Sequence, residues 1–153
     1  MTDTQTQIVE KNLETVLIAG LRMQAPYHDC GAGFSKLMRK FGRWSSGKPF
    51  LLCYDREYQE IANYEVCTPI RKSPGSVDDE FDVRELQGGR CICLTHIGPY
   101  EELSGTYNRL KAHLAEQGLE AAMPSREVYI KGPGMIFRGN PKKYITEVQM
   151  LVA

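Results

Sequence analysis

The order of the sequence elements restricts the fold more than any other feature, because it occurs twice. Apolar runs typical of strands and runs with helical spacing follow one another as strand, strand, helix, strand, strand in residues 8–70 and again in 81–152. The closing strands align, with Tyr64–Val66 matching Thr146–Val148. The duplication predicts an α+β fold of two pseudo-two-fold related β-β-α-β-β units. They would form an antiparallel sheet with both main helices on one face and a central ligand groove.

The two helices are the clearest local predictions. Apolar residues at helical spacing predict the first helix from Phe34 to Phe41, ending at Gly42, and the second over Tyr100–Gln117, ending at Gly118. One strand, kinked near its middle, is predicted over residues 8–21. A hairpin turn at 88–89 is predicted to join strands 81–86 and 90–97. Further strands are predicted at 50–54, 64–70, 127–131 and 144–152.

The length of 153 residues corresponds to one domain, predicted to span 8–153 after a disordered polar tail at 1–7. No apolar run approaches the roughly 20 residues of a membrane span, and the start does not resemble a signal peptide. We therefore expect a cytoplasmic protein with no membrane partner. Lys plus Arg (19) equals Asp plus Glu (19), so no overall positive field favours direct binding of nucleic acid.

The cysteines favour neither disulfides nor a metal site. There are five, an odd number, and no CxxC motif occurs. Without a secretion signal they are expected to be reduced thiols. Cys91 and Cys93 lie two positions apart on a strand and so share one face, but His96 is the only further candidate ligand nearby. We expect no metal and no cofactor.

The last strand contains the residue with the strongest functional signal. Alternation places Val148, Met150 and Val152 on the core side and turns Glu147 to the other face. A carboxylate in so apolar a strand is costly unless it is paired, hydrated or bound to a ligand. Glu65 holds the equivalent position in the first half. The alternative is a solvent-facing glutamate on a half-exposed sheet.

Aromatic residues occur in the elements expected to surround the groove. Flat rings beside a carboxylate suit a lipophilic cation. The alternative, that these rings are core, is favoured for Phe50 and Tyr144. Tyr129 is the best candidate to face the groove, because it alternates with Val128 and Ile130. With the two carboxylates, the predicted ligand-binding residues are Trp44, Tyr54, Glu65, Tyr100, Tyr129, Phe137 and Glu147.

No residue is assigned a catalytic role from its own pattern. His96 lies at a strand-to-helix junction, where it is either a general base or a hydrogen-bond partner of nearby backbone. His28-Asp29-Cys30 contains the residue types of a nucleophile site, but sequence neighbours rarely align as nucleophile and base. That segment is predicted as a loop.

Several short motifs, in order, resemble a known family. They are His96–Tyr100 followed by Glu102-Leu103, then Arg126–Tyr129 and Tyr144–Val148, with Cys53–Asp55 and Tyr64–Pro69 in the first half. Together they resemble the gyrase-inhibitor-like (GyrI-like), AraC-type effector-binding domain over nearly the whole chain. The resemblance implies a duplicated α+β fold with a central groove.

The resemblance also implies a function. In multidrug-sensing transcription activators of this family, a buried glutamate on the last strand meets cationic lipophilic drugs among aromatic residues, and Glu147 occupies the matching position. This sequence has no helix-turn-helix domain. It is therefore identified as a stand-alone small-molecule-binding domain that senses or sequesters a drug or effector, as a monomer or dimer. A protein partner, either a transcription regulator or gyrase, is left open.

Two alternatives follow from the same resemblance. Family members include hydrolases of strained cyclopropane toxins, in which a glutamate and a tyrosine assist attack by water, and Glu147 with Tyr129 or Tyr100 would supply such residues. Other members inhibit gyrase. Fold resemblance does not distinguish a protein that holds a ligand from one that cleaves it.

Overall fold

The computed structural model describes residues 7–132 and 139–153. Its paired strands are all antiparallel and are accompanied by two α-helices, which confirms the predicted α+β class. The predicted tail at 1–7 lies almost wholly outside the described residues. None of the described helices has the length and hydropathy of a membrane span.

Eight strands and two α-helices are described, together with short 3-10 turns. The strands are β1 Ile8–Leu13, β2 Val16–Ala25, β3 Phe50–Cys53, β4 Ala62–Pro69, β5 Phe81–Leu86, β6 Gly89–Ile97, β7 Ala121–Lys131 and β8 Ile145–Val152. The helices are α1 Cys30–Phe41 and α2 Leu103–Glu116. The 3-10 turns are Tyr27–Asp29, Gly42–Trp44, Tyr100–Glu102 and Pro141–Lys143.

The chain divides into two compact units. The N-terminal unit is Glu14–Gly88 and contains β2, α1, β3, β4 and β5. The C-terminal unit contains Gly89–Ala153, with β6, α2, β7 and β8, and also takes β1 from the beginning of the chain. Each unit therefore has four strands and one α-helix, the number that the duplication predicts, but β1 and β5 are exchanged between the two predicted halves.

In the N-terminal unit the strand order is β3-β4-β2-β5. Helix α1 packs on β2 and β4, where Leu37 and Phe41 of the helix are buried. Val66 of β4 points towards α1, because a Cβ added at Gly33 of the helix would lie 3.3 Å from the Val66 side chain. Since side chains alternate along a strand, Glu65 points to the face away from α1.

In the C-terminal unit the order is β1-β6-β8-β7, and α2 packs on β6. Apolar residues of the sheet and of the helix form one core cluster, as the stripe on the predicted helix requires. The core side of β8 predicted from alternation is confirmed. The cluster consists of Ile92, Leu94, Leu103, Leu110, Leu114, Val148, Met150 and Val152.

Two predictions of strand connection were wrong. The single strand over residues 8–21 is two strands in different units, since β1 pairs with β6 and β2 pairs with β4 and β5. The hairpin at 88–89 is absent, because β5 pairs with β2, and β6 pairs with β1 and β8. Apolar periodicity shows which face of a strand is buried but does not identify its partner.

Candidate functional site

Glu65 in the N-terminal unit is completely buried and fully paired. The Arg84 guanidinium donates to both Glu65 carboxylate oxygens at 2.8 Å, and the Tyr54 hydroxyl donates to Oε1 at 2.7 Å. The Arg22 guanidinium lies 4.0 Å from the centre of the Tyr54 ring. A buried carboxylate is tolerated when a cation and further donors satisfy it, and this one has both.

The network around Glu65 shifts the titration of its members. Burial, and then the hydrogen bond to Glu65, raises the pKa of Tyr54 to about 12. Hydrogen bonding to Glu65 raises the pKa of the Arg84 guanidinium above its ordinary value. Gly20 leaves the space that Glu65 occupies, because a Cβ at that position would lie 2.0 Å from the carboxylate Oε2. In this network the Arg84 guanidinium neutralises the charge of the Glu65 carboxylate.

Glu147 lies on the face of β8 that points away from α2. It is 8% exposed, so the solvent-facing alternative does not apply. The Lys11 ammonium of β1 is 2.7 Å from Glu147 Oε2, and the Gln149 amide donates to Oε1 at 2.6 Å. The hydrogen bond to Glu147 raises the pKa of Lys11. The Glu147 carboxylate thus already forms an ion pair with a lysine of the protein itself.

A third carboxylate, Glu127 of β7, lies on the opposite face, towards α2. Its register partner is Val148, a member of the core cluster. Tyr129 donates its hydroxyl to Glu127 Oε1 at 2.8 Å, and Tyr107 of α2 donates its hydroxyl to Oε2. Glu127 is 8% exposed. Two phenols from different elements therefore solvate this carboxylate inside the protein.

Further rings extend this group. Tyr100 lies edge-on to Tyr129, with ring centroids 5.7 Å apart, and its centroid is 5.1 Å from that of Tyr144. Gly132 permits the approach of Tyr100, because a Cβ there would lie 2.6 Å from the Tyr100 hydroxyl. We call Tyr100, Tyr107, Tyr129 and Tyr144, with Glu127, the tyrosine cluster.

The structure brings some of the predicted ligand-binding residues together and separates others. Tyr100 and Tyr129 lie together in the tyrosine cluster. The predicted combination of Glu147 with Tyr129 is not found, because Tyr129 is in register with Thr146 and shares the α2 face, whereas Glu147 is on the other. Side chains on opposite faces of one sheet do not meet.

The remaining predicted residues lie elsewhere. Tyr54 contacts Glu65, as described above. Trp44 follows α1, where its ring centroid is 6.5 Å from that of Phe41 and the Arg43 guanidinium lies 5.3 Å from its ring. Phe137 lies outside the described residues. None of these contacts tests a role in ligand binding, which stays a prediction for all seven residues.

His96 has the structural role that was one of its two alternatives. Its Nε2 donates to the Pro99 carbonyl oxygen at 3.0 Å, and its Nδ1 is 2.9 Å from the Thr106 hydroxyl oxygen of α2. Nδ1 therefore joins the end of β6 to α2, and Nε2 joins it to the segment between them. Within residues 7–132 and 139–153 there is no group of three or more side chains suited to holding a metal ion.

Sequence reasoning missed Glu127, Tyr107, Lys11 and Arg84. A signal for the first was present, since Glu127 and Tyr129 are two positions apart on a predicted strand and so share a face. Tyr107 lies within the predicted second helix and carries no separate signal in the sequence. The cationic partners carry no local signal, because Lys11 is 136 residues from Glu147.

Comparison with known proteins identifies the fold and the family. The family model described as GyrI-like small molecule binding domain matches residues 6–153. No curated protein sequence matches the chain. The crystal structure of the EcmrR C-terminal domain is similar, with a TM-score of 0.81, 20% identity, and coverage of 96% of this chain and 97% of that one. In the EcmrR–DNA complex the chain spans 57% of the EcmrR chain, with 19% identity and a TM-score of 0.82.

Two further structures share the fold. One is a hydrolase encoded by lin2189 from Listeria innocua, with a TM-score of 0.66, 12% identity, and coverage of 96% of this chain and 92% of that one. The other is SAV2435 bound to tetraphenylphosphonium, with a TM-score of 0.62, 13% identity, and coverage of 97% and 94%. At these identities the likeness establishes the fold alone.

Proposed function

Because the chain belongs to the family of GyrI-like small molecule binding domains, we propose that it captures lipophilic organic cations, with Glu127 as the carboxylate that meets them. The observation that carries this proposal is a buried carboxylate held by two tyrosine hydroxyls. The two hydroxyl donors fix the position of the carboxylate and of its negative charge. That charge acts strongly on a cation that enters a site shielded from water.

The rings of the tyrosine cluster supply the second part of such a site. A cation over a tyrosine face gains about 0.5–2 kcal/mol, depending on how far it is desolvated. Tyr100 and Tyr129 are half-buried, so their rings combine apolar area with access from solvent. A lipophilic cation matches both features, because its charge meets the carboxylate while its apolar groups contact the rings. The tetraphenylphosphonium bound by SAV2435, a protein of the same fold, belongs to this ligand class.

Glu147 is the second candidate anchor, and it matches the family motif. Its disadvantage is the Lys11 ammonium at 2.7 Å, which an incoming cation would have to displace. Breaking a contact with a largely buried carboxylate reduces the net gain from the new contact. We place Glu127 first because two phenol hydroxyls orient its carboxylate beside further aromatic rings.

Titration calorimetry with tetraphenylphosphonium, on the wild type, Glu127→Gln and Glu147→Gln, tests the proposal. We expect Glu127→Gln to weaken binding at least tenfold, about 1.4 kcal/mol, and Glu147→Gln to weaken it less. Tetraphenylborate, an anion of the same shape, is the matched control ligand and should bind far more weakly. Equal affinity for the two ions would refute a carboxylate-centred site. If only Glu147→Gln loses affinity, the anchor is Glu147 instead of Glu127, and the proposal that the protein binds cations still holds.

A second function, hydrolysis, is favoured by the direct hydrogen bonds between Glu127 and two phenols. A carboxylate that accepts from a tyrosine is suited to orienting water while the phenol donates to a leaving atom. The lin2189 protein, described as a hydrolase, has the same fold. Incubation with a strained cyclopropane electrophile, followed by mass spectrometry, separates the functions. If the protein is a hydrolase, the wild type should add one water to the compound faster than the Glu127→Gln variant does. If it is a binding protein, the compound should be recovered intact.

A further inference from the structure

Two cysteine thiols touch each other on the central strand β6 of the C-terminal unit. Cys91 and Cys93 have their Sγ atoms 3.2 Å apart, and both residues are completely buried and unoxidised. Their neighbours Ile92 and Leu94 belong to the core cluster beside α2. Alternation therefore places both thiols on the face away from α2, which is separate from the tyrosine cluster.

Charged side chains accompany the thiols on this face. Lys11 of β1 is in register with Cys91, and Gln149 of β8 is in register with Cys93. Because β6 lies between β1 and β8, the ion pair of Lys11 with Glu147 crosses β6 on the face that carries the thiols. The Lys11 side chain therefore lies on the same face of the sheet as the two sulfur atoms. Within its unit β1 pairs with β6 alone, so fraying of this strand opens a path to the thiols.

The contact between the two thiols shifts their pKa values in opposite directions. The hydrogen bond between the two thiols lowers the pKa of Cys91, whereas the same contact and burial raise the pKa of Cys93. The thiolate is the form that attacks an electrophile, so Cys91 is the first nucleophile and Cys93 the second.

The distance between the sulfur atoms selects the class of ligand. With metal–sulfur bonds of about 2.3 Å, a separation of 3.2 Å corresponds to an angle of about 90° at the bound atom. A tetrahedral ion would need sulfur atoms about 3.8 Å apart, and a linear two-coordinate ion about 4.6 Å. Trivalent arsenic is pyramidal, with bond angles close to a right angle. In an organic arsenical, trivalent arsenic has three ligands, which here would be two thiolate sulfur atoms and the organic group already bound to arsenic.

A disulfide fits this site less well than a bridging atom. Residues two apart on a strand have Cα atoms about 6.6–6.8 Å apart, at the upper limit for a disulfide. Strand β6 is hydrogen-bonded on both sides, to β1 and to β8, and resists the contraction that would ease closure. An inserted arsenic atom leaves the sulfur atoms near their present separation.

We propose that Cys91 and Cys93 form a dithiol site that captures trivalent arsenicals. In the capture step, an arsenical with two hydroxyl groups on arsenic exchanges both for sulfur. Two As–O bonds break, two As–S bonds form, and each thiol proton leaves with a hydroxyl group as water. No electrons are transferred, and arsenic stays trivalent.

The test uses phenylarsine oxide, which hydrates to the dihydroxy form in water, and intact-mass spectrometry of the native protein. We expect one phenylarsenic group to be gained and two hydrogens lost. Trypsin should place the adduct on the peptide from Cys91 to Arg109, which contains both thiols and none of the other three cysteines. A small dithiol should remove the arsenic, and an equal concentration of a monothiol should not.

The matched variants are Cys91→Ser and Cys93→Ser, which should lose the adduct, and the combined Cys30→Ser, Cys53→Ser, Cys67→Ser variant, which should retain it. Circular dichroism checks that each variant is folded. The proposal would be overturned if the wild-type protein gained no adduct in its native state and gained one only after denaturation. An adduct mapped to another peptide would also overturn it, and this readout does not depend on any variant folding.

Discussion

The Tyr129 hydroxyl lies 2.8 Å from Glu127 Oε1, between residues two positions apart on the same strand. Strand geometry alone places both side chains on the α2 face, where Tyr107 supplies the second hydroxyl. The carboxylate is therefore oriented before any ligand arrives. Preorganised donors of this kind limit the cost of ordering a site on binding.

The first prediction concerns this hydrogen bond. Tyr129→Phe should lower the free energy of unfolding by about 1.5 kcal/mol, because a bond to a charged acceptor contributes about 1.5–3 kcal/mol and the ring is only half-buried. Urea denaturation measures the change. Tyr58→Phe is the control, since Tyr58 is 77% exposed and its loss of a hydroxyl should change stability by less than about 0.5 kcal/mol. Equal effects of the two variants would contradict the proposed role of the bond.

The second prediction concerns the space beside Glu65. Gly20→Ala would place a methyl group 2.0 Å from the Glu65 carboxylate and should displace it from Arg84. Disrupting a buried ion pair costs about 3–5 kcal/mol, so we expect a loss of about 3 kcal/mol in chemical denaturation. Gly105→Ala in α2 is the matched control. Nothing lies within 4 Å of its added Cβ, and the higher helix propensity of alanine should stabilise the protein by up to about 1 kcal/mol.

The third prediction concerns the ion pair of Lys11 with Glu147. Lys11→Met should cost about 1 kcal/mol at neutral pH, because the lysine is half-exposed while its partner is buried. Since the fold raises the pKa of Lys11 above 10.5, its contribution is complete below pH 10.5 and is lost as pH rises through the folded-state pKa.

Unfolding free energies of the wild type and Lys11→Met, compared between pH 8 and about pH 11, check the sign of this dependence. The difference between the two proteins should shrink at the alkaline end. The double variant with Glu147→Gln should lose little beyond the loss in either single variant, because the two residues act through one contact. Full additivity would show that the ion pair does not form.

The fourth prediction concerns Tyr54. The folded protein raises the pKa of Tyr54 to about 12, so the hydroxyl of Tyr54 ionises at lower pH in the unfolded chain than in the folded protein. The stability that this difference contributes is present below pH 10 and is lost as pH rises towards 12. Tyr54→Phe should therefore reduce the slope of the unfolding free energy against pH in that window. Absorbance of tyrosinate should lose a component titrating near pH 12. An unchanged slope would contradict the buried hydrogen bond to Glu65.

Much of the fold was predictable because its signals are local. The end of α1 before Gly42 and the core side of β8 follow from spacing within a few residues, and both are confirmed. For Glu147 the sequence predicted the face of the strand but not the partner of the carboxylate. Alternation turned it away from the core side, but the ammonium that satisfies it belongs to a strand at the other end of the chain.

The sequence by itself determined the class of fold, the duplication and the face on which each strand residue lies, since these depend on periods of two and 3.6 residues. Tertiary structure alone decided which strands pair. It placed β1 beside β6, and it joined Glu127 to Tyr107 of α2. The physical reason is that a period of two describes a strand's faces and carries no information about its neighbour. Partner choice depends on packing summed over distant segments, and the environment of each carboxylate follows from that choice.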